Sequence, residues 1–128
     1  MTLVAATTAR AGWGIGVTPN GAAEATAGAA PVTPTGVASA CTSPLAATVT
    51  VSWNAAAHAT SYTIWESKTS ATSGYAVAAA GVTGTSWTSG NLATGSWWFE
   101  VSASVGSNWV SPNSTATAQR TILLLACN

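Results

Sequence analysis

With 128 residues and 12.6 kDa, the chain has material for one hydrophobic core and no second domain of ordinary size. Its charged residues are Arg10, Lys68 and Arg120 balanced by Glu24, Glu66 and Glu100, so a nucleic-acid binder, which needs a Lys/Arg stripe to neutralise phosphates, is excluded. One His, three Glu and two Cys are the whole supply of acid–base and metal-ligating side chains, which argues against an enzyme, a four-ligand zinc site or a bound cofactor, while 48% hydrophobic residues and seven Trp argue against disorder.

Residues 1–30 form an arm rich in Ala, Thr and Gly, closed off by Pro31 and Pro34 as a linker boundary is. Its opening from Met1 to Ala6 is too short for the apolar segment of a secretory signal and lacks a basic start, so conventional secretion is not expected of a primary product that starts here, and a mature product with this start has already lost its signal. No run approaches the roughly 18 apolar residues that cross a bilayer, and no membrane span is expected. Within the arm, Trp13-Gly14-Ile15-Gly16-Val17 alternates large apolar residues with glycine, the period of a strand with one buried face.

From residue 33 onward the pattern predicts seven short strands, at 36–40, 48–53, 61–67, 75–79, 85–88, 96–105 and 115–124. Turn residues separate them: Thr42-Ser43-Pro44, then 56–59, 70–74, 81–84, Ser89-Gly90-Asn91, and 106–113 with Pro112. The alanine triplets at 55–57 and 78–80 are too short to nucleate a helix, so the chain reads as all-β. The alternation of side chains along a strand then sorts the apolar residues. Val49, Val51 and Trp53 share one face, as do Tyr62 and Ile64, and Trp97, Phe99, Val101, Ala103 and Val105; these are the expected core. Trp65 and Trp98 fall on the opposite phase and should face outward as an exposed aromatic patch.

The segment Thr48-Val-Thr-Val-Ser-Trp53-Asn-Ala-Ala, followed by Ala59-Thr-Ser-Tyr62-Thr-Ile64, resembles the B and C strands of a bacterial fibronectin type III domain. The stretch Thr83-Gly-Thr-Ser-Trp87, then Leu92, then Gly95-Ser-Trp97-Trp98-Phe99-Glu-Val101-Ser-Ala103 resembles its E strand, E–F corner and F strand. The resemblance covers about residues 31–124 and implies a seven-strand, immunoglobulin-like β-sandwich, strands A, B and E facing C, C′, F and G, with residues 1–30 as an extended N-terminal arm outside the pattern. Trp87 and Trp97 stand where the family carries tyrosines, and the absence of Arg-Gly-Asp means that integrin binding is not implied. In this topology the A and G strands run the same way, so Cys41 and Cys127 reach one pole and a disulfide is expected there, closing a loop of about 85 residues and stabilising by about 4 to 5 kcal/mol. Such a bridge argues for an oxidising location.

Fold alone does not give function, so the remaining residues are weighed singly. His58 is expected in a solvated turn, since a catalytic His needs an orienting carboxylate and a nucleophile beside it. Trp65 and Trp98 could stack on sugar rings, or be covered by a neighbouring subunit, which the poverty of hydrogen-bonding side chains around them favours. Trp109 falls in the F–G loop, and Asn113-Ser114-Thr115 is a formal N-glycosylation triplet. A net charge near zero leaves little repulsion to oppose self-association.

These readings lead to a non-enzymatic structural subunit of a repetitive extracellular or cell-surface assembly, a filament or appendage, whose partner is a second copy of itself. The alternatives are a bacteriophage virion protein (capsid decoration or tail subunit) and an accessory carbohydrate-binding module whose partner is a glycan. Assembly is expected to proceed by strand addition: Trp13, Ile15 and Val17 of the arm would pair with the open edge of a long final strand carrying Ile122 and Leu124, satisfying backbone groups that an isolated strand leaves bare.

Overall fold

The computed structural model describes residues 30–124 and 126–128. Nine strands are found among them and no helix: β1 (Ala38–Cys41), β2 (Val49–Ser52), β3 (Ser61–Ser67), β4 (Ala76–Val82), β5 (Ser86–Thr88), β6 (Gly95–Val105), β7 (Trp109–Val110), β8 (Arg120–Leu123) and β9 (Ala126–Cys127). They make two antiparallel sheets, one of order β1-β2-β5 and a larger one of order β9-β8-β6-β3-β4 with β7 pairing the end of β6.

The core lies between the sheets where the alternation is strongest. Val49, Val51 and Trp53 from the small sheet meet Tyr62, Ile64, Phe99, Val101, Ala103 and Ile122 from the large one, all buried. The Trp53 and Tyr62 rings lie 5.3 Å apart at 59°, and Trp87 meets Phe99 at 6.4 Å and 58°, the tilted geometry that aromatic pairs prefer. Trp97 and Val105, expected in the core, are half-buried because they sit toward the two ends of β6, beyond the overlap of the sheets. Trp97 instead fixes the corner before β6: its indole N–H donates to the Ala93 carbonyl at 2.8 Å. A tryptophan thus ties the corner back to the backbone four residues upstream, the job that a tyrosine hydroxyl does in related sandwiches.

Two predicted elements are corrected. The strand expected at 75–79 runs on to Val82, because Gly81 in the left-handed region (φ 69) absorbs a bulge rather than ending the strand. The single strand expected at 115–124 is only Arg120–Leu123, and it does not continue past Leu123: the chain turns at Leu124 and returns as β9, with Ala126 opposite Leu123 and Cys127 opposite Ile122.

What replaces the first half of that strand is a ribbon with a period of three. Ser111, Ser114 and Thr117 each give a backbone N–H to β6, to the carbonyls of Ala103, Val101 and Phe99 at 2.8, 2.9 and 2.9 Å. Their hydroxyls, not their carbonyls, accept the β6 N–H groups in return, from Ala103 at 2.9 Å, Val101 at 2.9 Å and Phe99 at 3.2 Å. Each hydroxyl then donates its own proton to the carbonyl of the next residue, Pro112, Thr115 or Ala118. Three residues of the ribbon therefore cover the rise of two residues on β6, about 2.2 Å per residue against about 3.3 Å in a strand. The three side chains are buried and every one of these β6 groups is satisfied, which is what a sheet interior demands. Ser89 uses the same device on Val49, donating its N–H at 2.9 Å and accepting at its hydroxyl at 3.0 Å.

Candidate functional site

The ribbon, β8 and β7 together cover the whole outer side of β6, and further groups lock this flank to the small sheet. Arg120 reaches across to β1, where its Nε donates to the Ser39 hydroxyl at 3.0 Å and its Nη2 to the Ser39 carbonyl at 2.6 Å. Ser39 is buried and its hydroxyl also donates to the Ala118 carbonyl at 3.3 Å. Beside them a disulfide joins Cys41 at the end of β1 to Cys127 in β9, with the Cα atoms 5.7 Å apart. The pairing is reached through the β8–β9 reversal, which brings Cys127 back alongside Ile122.

The opposite flank has no such cover. β4 pairs with β3 on one side, and among the described residues nothing pairs with its other side. It reads Ala-Val-Ala-Ala-Ala-Gly-Val, without a charge or a proline, and it is mostly exposed, Val77 at 53%. The small sheet ends in β5, which is only three residues long.

On the outer face of the large sheet, the β3–β6 register sets Trp65 opposite Glu100 and Ser67 opposite Trp98, so the two indoles are diagonal neighbours, both half-buried and neither in the inter-sheet core. Trp65 Nε1 donates to the Ser102 hydroxyl at 3.0 Å, which fixes the plane of the ring. Asn113 donates from Nδ2 to Glu100 Oε1 at 2.9 Å. Burial, together with the negative charge of Glu100, pushes the Tyr75 phenol up to about 12. One carboxylate, one amide and one phenol thus gather next to an oriented indole. Asn113 of the glycosylation triplet is exposed, yet its amide is engaged with Glu100, while Ser114 between the two triplet positions is buried in the ribbon.

His58 is exposed in the β2–β3 turn, in the left-handed region at φ 68. It stands at the Ser61 end of β3, whereas Glu66 is at the other end, about 17 Å away along the strand, so no His–carboxylate pair can form across that distance. Burial raises the Glu66 carboxyl above its ordinary value. Among the described residues no three His, Cys, Asp or Glu side chains gather as a metal site, and no helix is long and apolar enough to cross a membrane.

The residues expected to drive assembly are therefore scattered. Trp13, Ile15 and Val17 lie outside the described residues. Ile122 points into the core at 1% exposure, and its strand edge is occupied by β9; this corrects the expectation of an open, apolar final edge, because the chain reverses onto it. Leu124 is 87% exposed at the reversal itself. The ribbon hydroxyls and the Arg120 brace were not singled out from the sequence, although the spacing Ser111, Ser114, Thr117 was there to be read.

No protein-family model matches the chain, and no curated protein does. Solved structures do. A Fn3-like protein from Clostridium thermocellum is 31% identical over 70% of this chain and 91% of that one, with a TM-score of 0.62. The structure named FN3tt mut aligns over 73% of this chain and 97% of its own at 19% identity and a TM-score of 0.60. The titin kinase with its flanking domains aligns at 21% identity and 0.59, over 70% of this chain and 17% of that much longer one; these last two speak for the fold alone. Such domains are commonly structural or modular and generally non-catalytic. With the sandwich order, the corner and the 31% identity together, the chain belongs to the fibronectin type III family.

Proposed function

We propose that this fibronectin type III domain is a non-enzymatic structural subunit of a repetitive assembly at the cell surface or outside the cell. The reading is carried by the asymmetry of the sandwich: one flank is sealed by a ribbon, an arginine brace and a disulfide, while the other ends in an uncharged strand edge that nothing pairs with among the described residues. Monomeric proteins blunt such edges with lysine, proline, a bulge or a covering loop; β4 carries a bulge at Gly81 but no charge or proline, and nothing pairs with its outer side among the described residues. The disulfide favours an oxidising compartment, and a net charge of zero lets copies approach without repulsion. Sedimentation and electron microscopy of the full chain test the reading. Association into regular oligomers or filaments at rising concentration is the expected result; a dispersed monomer at every concentration overturns it.

A second reading rests on the outer face, where Trp65 lies beside Glu100, Asn113 and Tyr75. A flat indole with a carboxylate and an amide at its rim is the chemistry of a sugar platform, and it fits an accessory carbohydrate-binding module. Quenching of tryptophan fluorescence by soluble polysaccharide, abolished by Trp65→Ala, supports it; no quenching by any polysaccharide of a broad panel removes it.

A further inference from the structure

We infer that the outer edge of β4 is the acceptor for residues 11–18 of a second copy of the chain; the inference rests on the assembly reading above and names its junction. The outer side of β6 is fully occupied by β8, the ribbon and β7, and the edge of β8 is taken by β9. The ribbon cannot extend the sheet outward, because the carbonyls of Pro112, Thr115 and Ala118 already accept its own hydroxyls and its three-residue period does not match a strand. At β1 the Ser39 carbonyl is held by Arg120. β5 offers three residues, and β9 two. β4 offers seven.

The side chains match as well. β4 contributes only Ala, Gly and Val, and Ala78, Ala79 and Val82 are left half-buried against the core. Three large apolar side chains on one face of an added strand, Trp13, Ile15 and Val17, would complete that thin cover, and the glycines between them allow close backbone approach. Two register shifts against β3 bend and twist β4, so a straight partner can follow it only briefly, which suits the five-residue run from Trp13 to Val17. The described chain begins at a fixed point, with Pro31 buried and the Val32 N–H on the Ala57 carbonyl. The thirteen or so residues between Val17 and that point reach about 40 Å when extended, far beyond the two to five residues of a hairpin connection. That length is enough to carry the strand to a neighbouring sandwich.

The test uses the full chain and two complementary variants. V77K/A80K places charges on the β4 edge at exposed positions, and I15D/V17D changes only the donor segment, outside the described residues. Each alone is expected to raise the concentration needed for association by about tenfold or more, with an unchanged denaturation midpoint. An equal mixture of the two is expected to form a one-to-one dimer and nothing larger, since it contains one intact donor and one intact acceptor. Amides of β4 should exchange slowly in assembled wild-type protein and quickly in I15D/V17D. If either variant assembles like the wild type, the β4 junction is overturned while the assembly reading stands. A wild-type chain that stays monomeric overturns both, and slow β4 exchange in that monomer would assign the edge to the chain's own arm instead.

Discussion

On the flank built from β1, β8, β9 and the 111–119 ribbon, N–H groups of β6 are held by hydroxyls and its carbonyls by backbone N–H groups of the ribbon, the Ser39 carbonyl of β1 is held by a guanidinium, and the edge of β8 is covered by the short returning β9. On the flank built from β4 and β5, the chain supplies alanine, glycine and valine and leaves the backbone of β4 bare among the described residues. The same sandwich therefore treats its two sides unequally, and the difference is in side-chain chemistry rather than in strand content. Closing an edge without a covering element takes polar side chains at the correct period; leaving one open takes only small residues.

The largest blow to the sealed flank is removal of its covalent tie. Replacing Cys41 and Cys127 together by serine is expected to cost about 4 to 5 kcal/mol on the chain-entropy account of a loop this long, read as a fall in the denaturant midpoint that reductant produces in the wild type and not in the variant. Next comes the ribbon. Ser114→Ala leaves the buried Val101 N–H without its acceptor and is expected to cost about 1 to 3 kcal/mol, whereas Ser86→Ala on the open flank, where the side chain is exposed, should stay within about 0.5 kcal/mol. Equal effects at the two positions would break the contrast between the flanks.

A smaller effect is expected from Trp97→Phe, which keeps the ring but loses the N–H donated to Ala93; about 1 kcal/mol should go, and a crystal structure of the variant would show the corner loosened. The smallest effect concerns titration on the outer face. Because Tyr75 is pushed up to about 12 by burial first and by Glu100 second, ultraviolet absorbance should show its phenol ionising late, and Glu100→Gln should bring it only part of the way back. The folded chain holds that proton more tightly than the unfolded one, so the contribution to stability is complete below the ordinary value of 10 and disappears as the pH climbs toward 12.

Where burial imposes a period of two, the sequence was legible. Val49, Val51 and Trp53, Tyr62 and Ile64, and Phe99, Val101 and Ala103 are buried as their alternation requires. The far half of β4 is not legible because an Ala/Gly run has no alternation to follow, and Gly81, a turn residue by composition, sits in a bulge. The ribbon escaped because strand reasoning looks for apolar residues every second position, while here the informative residues are hydroxyls every third, and their role depends on the N–H groups of another strand. The reversal at Leu124 escaped for a related reason: Thr121 to Leu125 is apolar enough to read as one strand, and only the returning backbone, with the Thr121 N–H on the Asn128 carbonyl at 2.9 Å and the reverse bond at 2.9 Å, makes it a hairpin. Of the candidate site, the outward phase of Trp65 and Trp98 could be read from sequence, but the gathering of Tyr75, Glu100 and Asn113 depends on how three separate elements meet.

The three-for-two matching of the ribbon to β6 also fixes how this segment can change in length. Dropping one residue between Ser111 and Thr117 would bring the methyl of Ala118 to the last rung, where the Thr117 hydroxyl must sit, so a single deletion costs the Phe99 N–H its acceptor even though Pro112, Asn113 and Thr115 are exposed. Whole triplets are different: adding or removing one shifts the frame by a complete rung and asks only that β6 lengthen or shorten by two. The segment behaves like a vernier scale, in which length is adjustable in coarse steps and in no others.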